Sequence, residues 1–172
     1  MFDILKHIAR DGIVSEPWPA TADERQTHAE LQSRIQRVIG RALCIRHVDA
    51  GSCNGCELEL QALNNPYFNI EGAGIKFVAS PRHADLLLVT GPVSKHMESA
   101  LRRTYDAMPA PKWVVAVGEC ACSGGIFGES YASCGRVANV VPVDATVSGC
   151  PPTPLQVLRA IAGLLSAGGD AS

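Results

Sequence analysis

Long apolar runs are missing from this sequence. None approaches the ~20 residues that a membrane-spanning helix needs. A secretory pattern is missing too, because Asp3, Lys6, Arg10 and Asp11 break up the first fourteen residues. The expectation is a cytoplasmic chain whose thiols stay reduced. A charge excess of either sign is absent: 15 Lys and Arg stand against 17 Asp and Glu, a net charge of −2. That excludes the basic footprint of a nucleic-acid partner. Aromatic residues are scarce at 5%, and charged residues make up only 19% beside 47% hydrophobic. Such a surface leaves room for a large protein–protein interface. What the sequence does have is enough length, 172 residues, for one domain with a real core. It also has seven cysteines, an odd number that reads as ligands or buried thiols and not as a disulfide framework.

Residues 1–27 mix charge with Pro17, Pro19 and Gly12 and keep no period, so they read as an irregular N-terminal arm. Between His28 and Leu43 the apolar residues Leu31, Ile35, Val38, Ile39 and Ala42 fall at helical spacing, with Arg34, Arg37 and Arg41 on other faces. This amphipathic helix is expected to pack on its own domain. The sharper alternative lays it on a partner or a membrane surface. A boundary near residue 43 then separates arm and helix (1–43) from a domain over 44–168.

Within that domain strands and helices alternate. The strands are Ile45–Val48, Ile75–Ala79, Asp85–Thr90, Trp113–Val117 and a weaker Asn139–Val143 that Pro142 confines to an edge. Helices are expected from about Glu57 to Leu63, from Val93 to Met108 and from Pro154 to Leu165. Alternation of this kind predicts an α/β fold, a parallel sheet with helices on both faces. Ligands of such sheets bind beyond the carboxyl ends of the strands.

The cysteines fall on that rim. Cys53 and Cys56 follow the first strand, in GSCNGC; Cys120 follows the fourth, in GECACSGG; Cys150 follows the fifth, in SGCPPTP. Each loop carries glycine, which lets backbone approach a bulky group closely. Four thiolates suit zinc or an iron–sulfur cluster. One close pair plus two distant single cysteines favours iron–sulfur over zinc, which more often uses two short knuckles. A redox dithiol of Cys53 and Cys56 comes third, since it leaves two glycine-rich cysteine loops unexplained.

Five ordered motifs carry a resemblance: GSCNGCE, ASPRHAD (79–85), TGPV (90–93), GECxxSGG (118–125) and GCPPTP (149–154). Over about residues 43–165 the chain resembles the small electron-transfer subunit shared by respiratory complex I, where it is the 20 kDa or B subunit, and the energy-converting nickel–iron hydrogenases. The resemblance implies a flavodoxin-like fold and one 4Fe–4S cluster on Cys53, Cys56, Cys120 and Cys150. It implies three kinds of partner: a large catalytic subunit, a ferredoxin-like polyferredoxin subunit and membrane-arm subunits. It also implies a place at the inner face of the cell membrane, held through those partners. Complex I subunits carry adjacent cysteines in the first loop. The spacing Cys53-Asn-Gly-Cys56 is similar to the membrane-bound hydrogenase group that includes formate hydrogenlyase. That branch leads, with no turnover expected of the chain alone. The alternative is a quinone-reducing complex I subunit.

Three residues are candidates for a place around the cluster. Glu57 either stabilises a helix N-terminus or tunes the cluster and passes protons. Cys122 occupies a position next but one to Cys120, and the CxxSGG register selects Cys120 as ligand. Arg82, with His83, is placed by the strand order at the same carboxyl rim, where in complex I relatives this loop lies near the quinone; here a solvated or interface arginine is the expectation unless quinone is used. Cys44 and Cys134 read as buried thiols, His47 and His96 as structural, and Glu119 as a helix-start acid.

Overall fold

The computed structural model describes Lys6, Ala9, Arg10 and residues 22–167. Most of the expected arm therefore lies outside the described residues. Five parallel strands form the sheet: β1 (Leu43–Asp49), β2 (Ile75–Phe77), β3 (Leu86–Thr90), β4 (Trp113–Val117) and β5 (Ala145–Val147), in the order β2-β1-β3-β4-β5. This is the flavodoxin-like order of doubly wound sheets. Helices α1 (Ala22–Val38), α2 (Gly55–Ala62), α3 (Lys95–Ala107), α4 (Glu119–Ser123) and α5 (Pro154–Ala167) complete the frame.

Side chains alternate across the pleat, and both sides are covered. Leu86 and Leu88 of β3, with Val115 and Val117 of β4, face a core shared with Leu31 and Ile35 of α1, Leu60 of α2 and Leu158 and Ile161 of α5. Leu87, Val89, Val114 and Ala116 face the other core, with Leu101 of α3 and Ala121 of α4. This explains why β3 and β4 read as unbroken apolar runs. Leu88 is fully buried on the central strand. Leu88→Ala is expected to cost about 2–5 kcal/mol, measured as a lower urea midpoint at unchanged m-value.

α1 belongs to this core. It packs along α5, and Arg34 Nη1 donates to Ala162 O at 2.7 Å. The expectation of a helix packed on its own domain holds, but the limits do not: the helix begins at Ala22, inside the expected arm, and ends at Val38. Gly40 at φ +71° terminates it, and its N–H reaches back to Ile35 O. The apolar spacing continues through Ile39 and Ala42 only because β1 begins at once.

The fifth strand also differs. Val137–Asn139 is a 3-10 turn, Val140 and Val141 are buried in the second core, and the pairing strand comes later, Val115 opposite Ala145. A short apolar run shows burial, not pairing, and here packing took it.

Arg82 is the largest correction. β2 is only three residues long and pairs with the first half of β1. The ASPRH loop therefore sits at the amino edge of the sheet. Asp85 N–H bonds to Cys44 O, Asp85 accepts Arg41 in a two-point pair at 2.6 and 2.9 Å, and Arg82 shares a hollow with Arg41, Lys76 and Pro109. The cysteine rim is a strand length away, roughly 16 Å for five residues of β1.

Candidate metal centre

At the carboxyl edge Asp49, Thr90, Val117 and Val147 stand in one row across β1, β3, β4 and β5. The loop after β1 must cross the end of β3 to reach the loops of β4 and β5. It does so over Gly91. A Cβ there would lie 2.5 Å from Ser52 N, at a φ of +75° that already favours glycine. The TGPV motif is thus a low sill under the first cysteine loop.

That loop is stapled from within. Asp49 Oδ1 accepts Gly51 N–H and Ser52 N–H, both at 2.8 Å. Ser52 Oγ accepts Asn54 N–H at 3.1 Å and donates to Glu57 Oε2. Asn54 takes a left-handed φ of 72° at the start of α2, a conformation asparagine tolerates. Asp49 and Ser52 were not singled out in the sequence. The signal was there, an aspartate two and three residues before the amides it holds, the usual Asx pattern.

The loops of β4 and β5 are tied together. Gly118 N–H bonds to Val147 O and Glu119 N–H to Gly149 O, each at 2.8 Å. Glycine leaves space for sulfur at two points. A Cβ on Gly118 would fall 2.5 Å from Cys56 Sγ, and one on Gly125 would fall 2.9 Å from Cys120 Sγ.

The structure brings Cys53, Cys56, Cys120 and Cys150 into one electrostatic neighbourhood. The Cys56 thiol is pushed up to about 11, by burial first and then by the charges of Glu57, Cys53, Cys120 and Cys150. Burial also raises Cys120, followed by the charges of Cys150, Cys53 and Glu119. Cys53 and Cys150 are exposed, so the group opens to the surface. Cys122 turns the other way, its Sγ donating to Ala116 O at 3.5 Å, and burial dominates its raised pKa. Cys44 and Cys134 are buried, as expected. Among the described residues no three His, Cys, Asp or Glu side chains gather closely enough to hold a single metal ion.

Glu57 is 8% exposed. Its Oε2 takes the Ser52 hydroxyl, while Oε1 has no hydrogen bond among the described residues and lies 3.8 Å from His47 Nε2. Burial lowers the His47 pKa, against the opposing pull of Glu57 and Asp49, and its Nε2 meets Thr90 Oγ1 at 2.9 Å. His47 is therefore mainly neutral near pH 7.

A pH dependence follows for the metal-free chain. A thiol pKa raised by folding favours the folded state while the thiol is protonated. That contribution is complete below about pH 8.5, the ordinary thiol value. It is lost as the pH climbs to about 11. Thermal melts across this window should show the melting temperature falling, and Cys56→Ser should make the fall shallower, with Cys120 and Cys122, also raised by burial, accounting for part of the rest.

Residues 53–164 match the family model of the NADH ubiquinone oxidoreductase 20 Kd subunit. Over 146 residues the chain is 43% identical to formate hydrogenlyase subunit 7 of Escherichia coli (strain K12), covering 85% of this chain and 56% of that protein. It therefore spans little more than half the length of that relative. Over 138 residues it is 40% identical to the probable membrane-bound hydrogenase subunit mbhJ of Pyrococcus furiosus, covering 80% of this chain and 83% of that one. A chain in the structure of the membrane-bound sulfane sulfur reductase, an archaeal respiratory membrane complex, superposes with a TM-score of 0.68 at 30% identity, covering 83% of this chain and 78% of that one. With the match extending from the first cysteine loop to the last helix, this chain belongs to the family of the 20 Kd subunit of NADH ubiquinone oxidoreductase.

Proposed function

We propose that Cys53, Cys56, Cys120 and Cys150 hold one 4Fe–4S cluster, and that the chain is an electron-transfer subunit of a membrane-associated nickel–iron hydrogenase of formate hydrogenlyase type. One observation carries this reading: three loops from β1, β4 and β5 bring four thiols to one rim, with glycine at two positions, Gly118 and Gly125, where a Cβ would strike a sulfur. The donor set fits. A single zinc ion needs its sulfurs close together, at bonds of about 2.3 Å. Four thiols from three loops, with glycine space beside two of the sulfurs, suit the larger cluster. The bound group supplies single-electron storage, at a potential set by its surroundings.

The chain's own residues do the rest. Asp49, Ser52 and Asn54 fix the first loop, and Gly118 and Gly125 let the sulfurs seat. Leu58, two residues from Cys56, and Ile126 and Phe127, six and seven residues from Cys120, are exposed at 57%, 94% and 58%. Exposed apolar side chains around a redox rim suit cover by a partner. The reading assigns that cover to the large catalytic subunit, with a ferredoxin-like subunit exchanging electrons and membrane-arm subunits tethering the assembly. None of the described helices is long and apolar enough to cross a membrane.

The test is anaerobic. The intact complex, purified through a tag on this chain, should be brown, bleach with dithionite and evolve hydrogen. The isolated chain should carry iron yet show no turnover. Zinc in place of iron, or a partner without a nickel site, would overturn the reading.

A further inference from the structure

β1 outruns the strand beside it. β2 pairs with Leu43, Cys44 and Ile45 alone. Along β1 the backbone groups alternate in direction. Even positions serve β3, where Ala50 N–H donates to Thr90 O. Odd positions serve β2: Leu43 N–H donates to Gly74 O, and Ile45 O accepts Val78 N–H at 2.8 Å. His47 and Asp49 thus aim their backbone groups at the side where β2 has ended, directly below the first cysteine loop. An unpaired strand edge is a template for another strand.

A hollow of about 340 Å³ opens there, bounded by Arg46, His47, Glu57, Gln61, Phe77 and Val78, with further residues of α2. Two buried polar atoms of its lining, Glu57 Oε1 and Arg46 Nε, have no hydrogen-bond partner among the described residues. Native structures rarely leave such atoms unpaired. One asks for a donor and the other for an acceptor. A peptide offers both, in the repeat that His47 and Asp49 require.

We propose that an extended segment of a partner subunit joins the sheet at this edge. Its backbone pairs with His47 and Asp49, its side chains fill the hollow, and one of them donates to Glu57 Oε1. The proposal rests on the reading that the chain works inside a complex. It places the partner's segment against the strand that leads into Cys53, on the side away from β3.

Residue-resolved hydrogen–deuterium exchange tests it, comparing the isolated full chain with the purified complex. The His47 and Asp49 amides should slow by about tenfold or more in the complex, while Leu88 stays slow in both. Gln61 is exposed on α2, so Gln61→Trp should crowd the hollow without harming the fold. The variant chain should load iron normally and fail to enter the complex. If His47 and Asp49 exchange equally fast in a complex that shows its iron–sulfur spectrum, the edge proposal falls and the functional reading stands. Slow exchange already in the isolated chain means that the chain covers its own edge, and it overturns the proposal. If no complex forms and no iron is held, both fall.

Discussion

Replacing Cys150 by serine is expected to strip the chain of its iron. After anaerobic reconstitution the unaltered chain should hold about four irons, and Cys150→Ser well under half of that, with the visible absorbance lost. The reason is positional. Cys150 is the one thiol on the loop after β5, and it is exposed there. No spare ligand is at hand: Cys122 points back toward Ala116 O, and Cys44 and Cys134 are buried elsewhere. A serine hydroxyl is a harder and far more weakly acidic donor than a thiol, and poor at replacing a thiolate on iron. Folding should be spared, because the side chain packs in neither core. The circular dichroism and melting temperature of the metal-free protein should therefore hardly move. Cys134→Ser is the control and should keep the iron. A Cys150→Ser chain with unchanged iron and spectrum would remove the basis for the proposed cluster.

Gly118→Ala is expected to damage the site with a single methyl group. It sets a Cβ 2.5 Å from Cys56 Sγ at a φ of +91°. A backbone at φ +91° and ψ 155° is essentially reserved for glycine, and alone costs another residue roughly 1–3 kcal/mol. The clash adds to it, because neither side can yield easily. Gly118 N–H is fixed to Val147 O, and Cys56 stands in the first turn of α2. We expect a loss of about 2 kcal/mol or more in urea titrations of the metal-free chain. Iron retention should also fall, because the methyl group occupies the place of a ligand sulfur. Gly163→Ala makes the comparison. It lies in α5 with nothing within 4 Å of an added Cβ, and should be neutral or stabilising by about 0.5–1 kcal/mol. Equal behaviour of the two variants would show that the contact with Cys56 is unimportant.

Much of the frame was legible because burial leaves a record in composition. The LLLV of DLLLVT and the whole of WVVAV are apolar since both faces of β3 and β4 are covered, as in a parallel sheet between two helix layers. The rim position of the cysteines followed from strand order alone. Boundaries were less legible. Ile39 and Ala42 continued a helical period past Gly40, and Asn139–Val143 looked like a strand while serving as packing. Arg82 misled for a geometric reason. Which end of the sheet a loop occupies depends on how far its strand runs, and nothing in ASPRH says that β2 stops at Phe77.

The amino-acid sequence by itself determined the alternation of strands and helices and the loops on which thiols and glycines stand. Those are local facts, written in periodicity and spacing. Only the tertiary structure decided that the β1 loop crosses the end of β3 on Gly91, that the Cys122 thiol turns back to Ala116 O, and that among the described residues the upper edge of β1 is left unpaired over a buried, half-satisfied glutamate. Each of these depends on strand length and register, which are fixed by contacts between residues far apart in the chain, and no local pattern records them.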